Sequence, residues 1–300
     1  YSFCFERDTD AKEVIRLTLG ASLITVIFGL FEFLFTSPEI WLKIGQEHYY
    51  FFKNGRPIQG RLYGNMIFWD FGIPLKRLAG ITGDPLLSSY IIGYGIIILY
   101  FLYRFFPHRF TIIKTRRQIM LRAFVYFFVL ILTFSRGAFL TIAYGSLFIF
   151  VRRYARNLSS LIFTATFLGI VTLAVILGEV LLDQMSGKSH IHGLSNGIVN
   201  GIHNPIGKGL GSAGNLANNI MRTEKGKKGA VGDSYVGSLT SQIGIVGLIF
   251  FLSFFLTLIM KLFSISTKLI NESSYFGILG YSSAVFLVGL VITSTLNESG

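Results

Sequence analysis

The chain has 300 residues, of which 52% are hydrophobic and only 14% are charged, and its mean hydropathy is +0.59. A soluble domain carries roughly twice that share of charged residues, so the composition excludes an ordinary soluble protein. The formal net charge of +12 indicates an anionic partner, such as a lipid headgroup or a phosphorylated substrate, and for a membrane-buried chain we expect no nucleic acid. The single cysteine, Cys4, excludes an internal disulfide and a thiolate metal cluster, and the five histidines lack the spacing of a zinc site.

Apolar runs recur along the whole chain, and each is close to the length of about 20 residues that an α-helix needs to cross a bilayer. They predict an all-α polytopic membrane protein. We expect a single membrane domain over 1–300 with about seven transmembrane helices, at 14–35, 86–103, 118–134, 138–151, 158–182, 235–263 and 275–296.

Basic residues predict the orientation of these helices. The segment RFFPHRFTIIKTRR follows the second run and VRRYAR follows the fourth, and the positive-inside rule makes both cytoplasmic. The N-terminus then lies inside, and two large loops, 36–84 and 183–234, are external. These two loops contain twelve lysines and arginines. Either the charges are simply solvated, since long loops escape the rule, or some of them bind an anionic substrate at the external face.

An arginine stands at the outer end of the third run, in the sequence Ser135-Arg136-Gly137. It follows an apolar stretch, VLILTF, and precedes a tight turn into the next span. Its side chain either snorkels to the lipid headgroups or presents a planar fork of donors to a phosphate at the mouth of the helices.

The external loop 183–234 begins with a helical pattern over Ser189 to His203. At about 100° per residue, isoleucines and a leucine form an apolar stripe, and a separate stripe consists of Gly193, Gly197 and Gly201. We expect a helix that lies on the membrane surface. The glycines either let a ligand approach or only pack against a neighbouring span. His190 is in line with them, whereas His192 lies on the polar face and is solvated.

A glycine-rich turn follows, because a helix ends near an X-Pro step such as Asn204-Pro205. The glycines match GxGxxG formally, but no strand precedes them, so the dinucleotide interpretation is rejected. Backbone N–H groups in such a turn can still form a nest for phosphate, which makes candidate substrate contacts of Gly207, Lys208, Gly209 and Gly211.

Four segments in order resemble the O-antigen ligase/polymerase superfamily, from about Arg77 to Phe250: RLAGITGDPLLSSY, TFSRGAFL, the histidine-bearing helix with NPIGKGLGSAG, and DSYVGSLTSQIGIVG. Members are bacterial inner-membrane enzymes that act on undecaprenyl-diphosphate-linked saccharides. Their ligases carry a histidine where this chain has Asp233, and the polymerases often carry an acidic residue there, so the resemblance favours a repeat-unit polymerase. The family's second arginine is missing, and His190 stands near its place. Members also have further spans before the first one here, which implies an N-terminally shortened chain.

The resemblance implies a site at the external face of the cytoplasmic membrane, with Arg136 on the departing diphosphate, assisted by Arg77 and His190. Asp233 is the first candidate for the general base, although it also suits the N-cap of the following span, and Glu224 is the second. His192 joins the glycine-rich turn as a substrate contact. No metal or other cofactor is expected. The expected partners are the undecaprenyl-diphosphate-linked saccharide, as both donor and acceptor, membrane lipid, a flippase and a chain-length regulator.

Two other functions fit the same sequence. The polymerase would make exopolysaccharide, capsule or O-antigen, whereas an O-antigen ligase or oligosaccharyltransferase would use the same donor with a different acceptor. A non-enzymatic transporter or flippase of lipid-linked sugar would show ionisable residues deep in the spans, broken helices and related halves. Most charge here lies at span ends or in external loops, which favours chemistry at the membrane surface.

Overall fold

The structure is a computed structural model, and it describes residues 8–37, 40, 43, 45, 67–68, 75–105, 115–154, 185–214, 234–272 and 274–294. This part of the chain contains seven α-helices: α1 (Asp8–Phe35), α2 (Pro85–Phe105), α3 (Arg116–Leu132), α4 (Arg136–Tyr154), α5 (Met185–His203), α6 (Tyr235–Asn271) and α7 (Tyr275–Thr293). A 3-10 turn covers Gly80–Thr82. Two short strands, β1 (Ile67–Phe68) and β2 (Leu75–Lys76), pair antiparallel with Ile67 opposite Lys76.

The expectation of an all-α chain is confirmed for the described residues. Six of the seven apolar runs coincide with helices over most of their length, and the seventh, 158–182, lies outside the described residues. Four of the helices, α1, α2, α6 and α7, are long and apolar enough to cross a membrane, while the apolar part of α4 is shorter, at Arg136–Ile149. The count of seven transmembrane helices stays a prediction.

The described residues belong to two compact units. The first unit comprises Tyr1–Trp41, Gly64–Gly145 and Thr257–Val288, and the second unit comprises Leu42–Tyr63, Ser146–Leu256 and Gly289–Gly300. The first therefore holds α1 to α3, the start of α4, the end of α6 and most of α7. The second holds α5 and the first part of α6.

Small and hydroxyl-bearing residues hold the helices of the first unit together. The Ser22 hydroxyl on α1 donates to the Ile91 carbonyl on α2 at 3.0 Å, and a Cβ placed on Gly95 would lie 2.7 Å from the Ser22 oxygen. The Tyr126 hydroxyl on α3 donates to the Leu19 carbonyl at 3.1 Å. Close backbone approach with hydroxyl hydrogen bonds is the usual way in which helices associate inside a membrane.

The N-terminal ends of α1 and α7 lie together in the first unit. Asp8 Oδ1 accepts hydrogen bonds from the Ser274 hydroxyl at 2.7 Å and from the Tyr275 amide at 2.6 Å. An aspartate is well suited to such a position, because the first amides of a helix have no partner within the helix. Both helices therefore start at the same end of the unit.

Candidate functional site

The segment Leu75–Ala79, which we call the bridging segment, joins the C-terminal ends of two helices in the first unit. Its lysine, Lys76, reaches the end of α1, where Nζ donates to the carbonyls of Glu32 (2.7 Å), Phe33 (3.2 Å) and Thr36 (2.7 Å). The last carbonyls of a helix have no partner within the helix and carry its negative dipole, so a cation stabilises them.

A buried ion pair also joins the bridging segment to α1. The Glu32 side chain is 2% exposed, and its Oε1 lies 3.1 Å from Lys76 Nζ. Its other oxygen, Oε2, accepts the Ala79 amide at 3.2 Å. A carboxylate in this position needs both a counter-ion and hydrogen bonds, and the bridging segment supplies both.

Arg77 reaches the other helix end, at α3. Its Nε donates to the Thr133 carbonyl at 2.8 Å and its Nη2 to the Phe134 carbonyl at 3.3 Å, while the Leu78 amide donates to the Leu132 carbonyl at 3.0 Å. Burial lowers the pKa of the Arg77 guanidinium, and the nearby Asp84 carboxylate raises that pKa in part. Arginine remains charged at neutral pH regardless. Successive cations of one segment thus cap two different helices.

The turn that Arg77 holds leads directly into α4. Phe134 has a φ of 46°, in the left-handed region that non-glycine residues rarely occupy. Ser135 is buried, and among the described residues its hydroxyl has no hydrogen-bond partner. Arg136 is the first residue of α4. A cation at a helix N-terminus opposes the helix dipole, so this position favours an anion beside it.

The first unit therefore brings Arg77 to the turn that immediately precedes Arg136. Of the five N–H donors of Arg77, two are bonded to carbonyls, and the other three have no protein partner within the described residues. A second guanidinium, the first amides of α4 and the buried Ser135 hydroxyl belong to the same few residues of chain. This donor set suits a phosphate or diphosphate, which accepts several hydrogen bonds at once.

In the second unit, the glycine stripe of α5 packs on the start of α6. A Cβ on Gly197 would overlap the backbone of Gly237, and one on Gly201 would lie 2.5 Å from Thr240 Cγ2. The helix ends at His203, as expected, and the packing interpretation of the glycines is confirmed. Glycine is required here because the two backbones are in contact.

The same unit contains a break in α6. Gly244, at φ 72° and ψ 177°, interrupts the helical backbone. The glycine-rich turn binds at this break, since the amides of Lys208 and Gly209 donate to the carbonyls of Ser241 (3.0 Å) and Gln242 (3.1 Å). In return, the amide of Val246 donates to the carbonyl of Pro205 at 3.3 Å. The turn supplies hydrogen bonds that α6 would otherwise make internally.

The prediction that the backbone amides of this turn form a nest for phosphate is wrong, because these amides are already hydrogen-bonded. The amides of Lys208 and Gly209 are bonded to α6, that of Gly207 donates to the Asn204 carbonyl at 2.8 Å, and that of Gly211 donates to Gln242 Oε1 at 2.8 Å. None of these four amides is open to a ligand. Of the groups that the turn offered for phosphate binding, the exposed Lys208 ammonium remains, and it lies 3.4 Å from Asn200 Oδ1.

The other candidate residues are described only in part. His192 is exposed, and for His190 the structure describes the helical backbone alone. Asp233 and Glu224 lie outside the described residues. The next residue, Ser234, is buried, and its hydroxyl accepts the Gly237 amide at 3.2 Å, so Ser234 is in the N-cap position of α6.

Sequence reasoning missed three features of these sites. For the ion pair of Glu32 with Lys76, the sequence offers one indication: a carboxylate within an apolar span requires a partner. The break at Gly244 had a weaker signal, a glycine within a long apolar helix. The two hydrogen bonds of the Gln242 amide, to Gly211 and Ala213, had no signal in the sequence.

Searches of protein-family models, of curated proteins and of solved structures find no match to the chain. Within the described residues, no cluster of three or more His, Cys, Asp or Glu is arranged to hold a metal ion.

Proposed function

We propose that the chain is a polysaccharide polymerase that joins undecaprenyl-diphosphate-linked repeat units at the external face of the cytoplasmic membrane. The observation that carries the proposal is the pair of hydrogen bonds from Arg77 to the carbonyls of Thr133 and Phe134, directly before Arg136. Arg77, which is 59 positions before Arg136 in the sequence (136 minus 77), is thereby bonded to the turn that leads into Arg136. The segments that resemble the O-antigen ligase/polymerase superfamily include both arginines.

The reaction requires charge neutralisation and one proton transfer. A hydroxyl of the acceptor saccharide attacks the anomeric carbon of the donor, a new glycosidic C–O bond forms, and the bond from that carbon to the diphosphate oxygen breaks. Undecaprenyl diphosphate leaves with the bonding electrons. Arg136 neutralises the developing charge on it, with Arg77 and His190 in support, because fixed donors aimed at a departing anion lower the barrier.

Asp233 is the proposed general base, and Glu224 is the second candidate. Asp233 takes the proton of the attacking hydroxyl, as a carboxylate within hydrogen-bonding reach can do. The helix α6 has its N-cap in the Ser234 hydroxyl, so the cap does not require an Asp233 carboxylate. An acidic residue at this place is also what favours a polymerase over a ligase in the superfamily.

The test uses Arg136→Ala and Asp233→Asn in cells that make the polysaccharide. Both variants are expected to give short chains or single repeat units at normal membrane levels of the protein, by gel analysis of the glycan and immunoblotting. Arg116→Ala, which removes an exposed arginine from the predicted cytoplasmic end of α3, is the matched control. Normal chain length in both site variants overturns the proposal. Transfer of single units to lipid or protein indicates a ligase or oligosaccharyltransferase instead.

A second candidate function is transport of the lipid-linked sugar, and the break in α6 at Gly244 favours it, because transporters use discontinuous helices. Vesicles that contain the purified chain and a labelled lipid-linked unit distinguish the two functions. Movement of the label across the bilayer without elongation indicates a transporter, whereas elongation without movement indicates a polymerase.

A further inference from the structure

We propose that residues 204–214, the docking turn, bind the membrane surface, with Ile206 and Leu210 among the lipid acyl chains and Lys208 on an anionic phosphate headgroup. The occupant is the lipid bilayer itself. The proposal requires only that α6 crosses the bilayer, and it is independent of the reaction that the chain catalyses.

The first step concerns depth along α6. The ten residues before Gly244, SYVGSLTSQI, include five with hydroxyl or amide side chains besides a tyrosine, whereas the sixteen between Gly244 and Lys261 carry no charge and are nearly all apolar. At about 1.5 Å per residue those sixteen extend roughly 24 Å, which approaches the hydrocarbon thickness of about 30 Å once a lysine can snorkel. The apolar layer therefore begins close to Gly244.

The second step concerns the level of the docking turn. It is bonded to α6 at three backbone positions around the break, at the Ser241 and Gln242 carbonyls and at the Val246 amide, over 3.0 to 3.3 Å. The Gln242 side chain adds two more bonds, from the Gly211 amide at 2.8 Å and to the Ala213 carbonyl at 3.0 Å. The docking turn is thus held at the edge of the apolar layer.

The third step concerns what the docking turn exposes there. Ile206 is 88% exposed and Leu210 is 85% exposed, the highest values among the large hydrophobic side chains that the structure describes. Along the chain they follow the exposed Ile198 and Ile202 of α5 at intervals of four residues. On the α6 side, the carbonyl of Pro205 is bonded to the amide of Val246, and exposed apolar residues recur from Val246 along that helix.

The fourth step concerns charge. Lys208 stands between the two apolar side chains and is exposed, and residues 204–214 contain no carboxylate. Apolar side chains that flank a cation match the order of a phospholipid, in which the phosphate lies just outside the acyl chains. Binding of a soluble protein would not require the docking turn to lie at the edge of the apolar layer, and it would not require a cation between two apolar side chains.

The test measures depth with spin labels on the full chain in vesicles. Cys4→Ser removes the native thiol, and single cysteines are then introduced as Ile206→Cys, Leu210→Cys and, as the matched control on the exposed polar face of α5, His192→Cys. Oxygen concentrates in hydrocarbon and a nickel chelate stays in water. We expect the ratio of oxygen to chelate collisions to be several-fold higher at 206 and 210 than at 192. A ratio at 206 and 210 as low as that at 192 overturns the proposal and indicates that this surface binds a protein instead.

A second measurement tests the headgroup contact. Vesicles of phosphatidylcholine are compared with vesicles that also contain phosphatidylglycerol, with the label at 206. The anionic lipid is expected to increase the depth of the label when Lys208 is present and to leave it unchanged in Lys208→Gln. An equal response in both chains overturns the headgroup contact.

Discussion

The buried pair of Glu32 and Lys76 is predicted to stabilise the first unit through mutual coupling. Glu32→Gln removes a charge that lies 3.1 Å from Lys76 Nζ in a side chain that is 2% exposed. Breaking a fully buried pair costs about 3–5 kcal/mol because the remaining charge loses its partner. Lys76 is 20% exposed and keeps its helix carbonyls, so we expect a loss below that range, about 2–3 kcal/mol.

The reverse change should cost more. Lys76→Met leaves the Glu32 carboxylate buried without a counter-ion and also removes the donor for the last carbonyls of α1, so we expect about 3–5 kcal/mol. In the double variant neither charge remains. Its loss should therefore be smaller than the sum of the single losses by about 2 kcal/mol, which is the coupling energy of the pair.

The measurement is the free energy of unfolding of the four chains in detergent micelles. The matched control is Glu13→Gln on the same helix, whose partner Arg16 is 3.7 Å away and whose side chain is 55% exposed. A surface pair of this kind is worth about 0–1 kcal/mol. Additive losses in the double variant, or a loss for Glu32→Gln no larger than that of Glu13→Gln, would refute the reasoning.

Three further changes test the helix ends. Gly244→Ala introduces a Cβ at a φ/ψ open essentially to glycine alone, at about 1–3 kcal/mol, and it also overlaps the Pro205 carbonyl. Deuterium exchange of the docking-turn amides should become about ten- to a hundredfold faster, and unchanged exchange would contradict the docking. Arg77→Lys keeps the charge but loses the planar fork, so the melting temperature should fall by the equivalent of about 1 kcal/mol; an unchanged value would exclude its role as the cap of α3. Ser234→Ala should cost about 1 kcal/mol by the same measurement, whereas Ser234→Thr, which keeps the hydroxyl, should cost less, and equal losses would argue against the cap.

Helix positions could be predicted from the sequence because they depend on neighbouring residues. The apolar run that starts at 235 and the X-Pro step after Asn204 are local signals, and both mark observed helix ends. The glycine stripe of α5 also gave a correct statement about close packing, since the absence of side chains on one face leaves room for another backbone.

The contacts that build the two sites depend on residues far apart in sequence. Glu32 and Lys76 are 44 positions apart, and Arg77 lies 56 positions before Thr133, so no local pattern joins them. The sequence predicts open amide donors at Gly207, Lys208, Gly209 and Gly211, because a nest is recognised from local sequence alone. Their amides are instead taken by carbonyls of α6, which the sequence of the turn does not reveal.

The break at Gly244 has a consequence for how the chain is inserted during synthesis. The carbonyls of Ser241 and Gln242 and the amide of Val246 find their partners in a segment that the ribosome makes about 35 residues earlier. Unpaired, such groups would cost several kcal/mol in hydrocarbon. The start of α6 is therefore fully hydrogen-bonded only after the docking turn has bound to it, and we expect folding of this turn and insertion of the helix to be coupled.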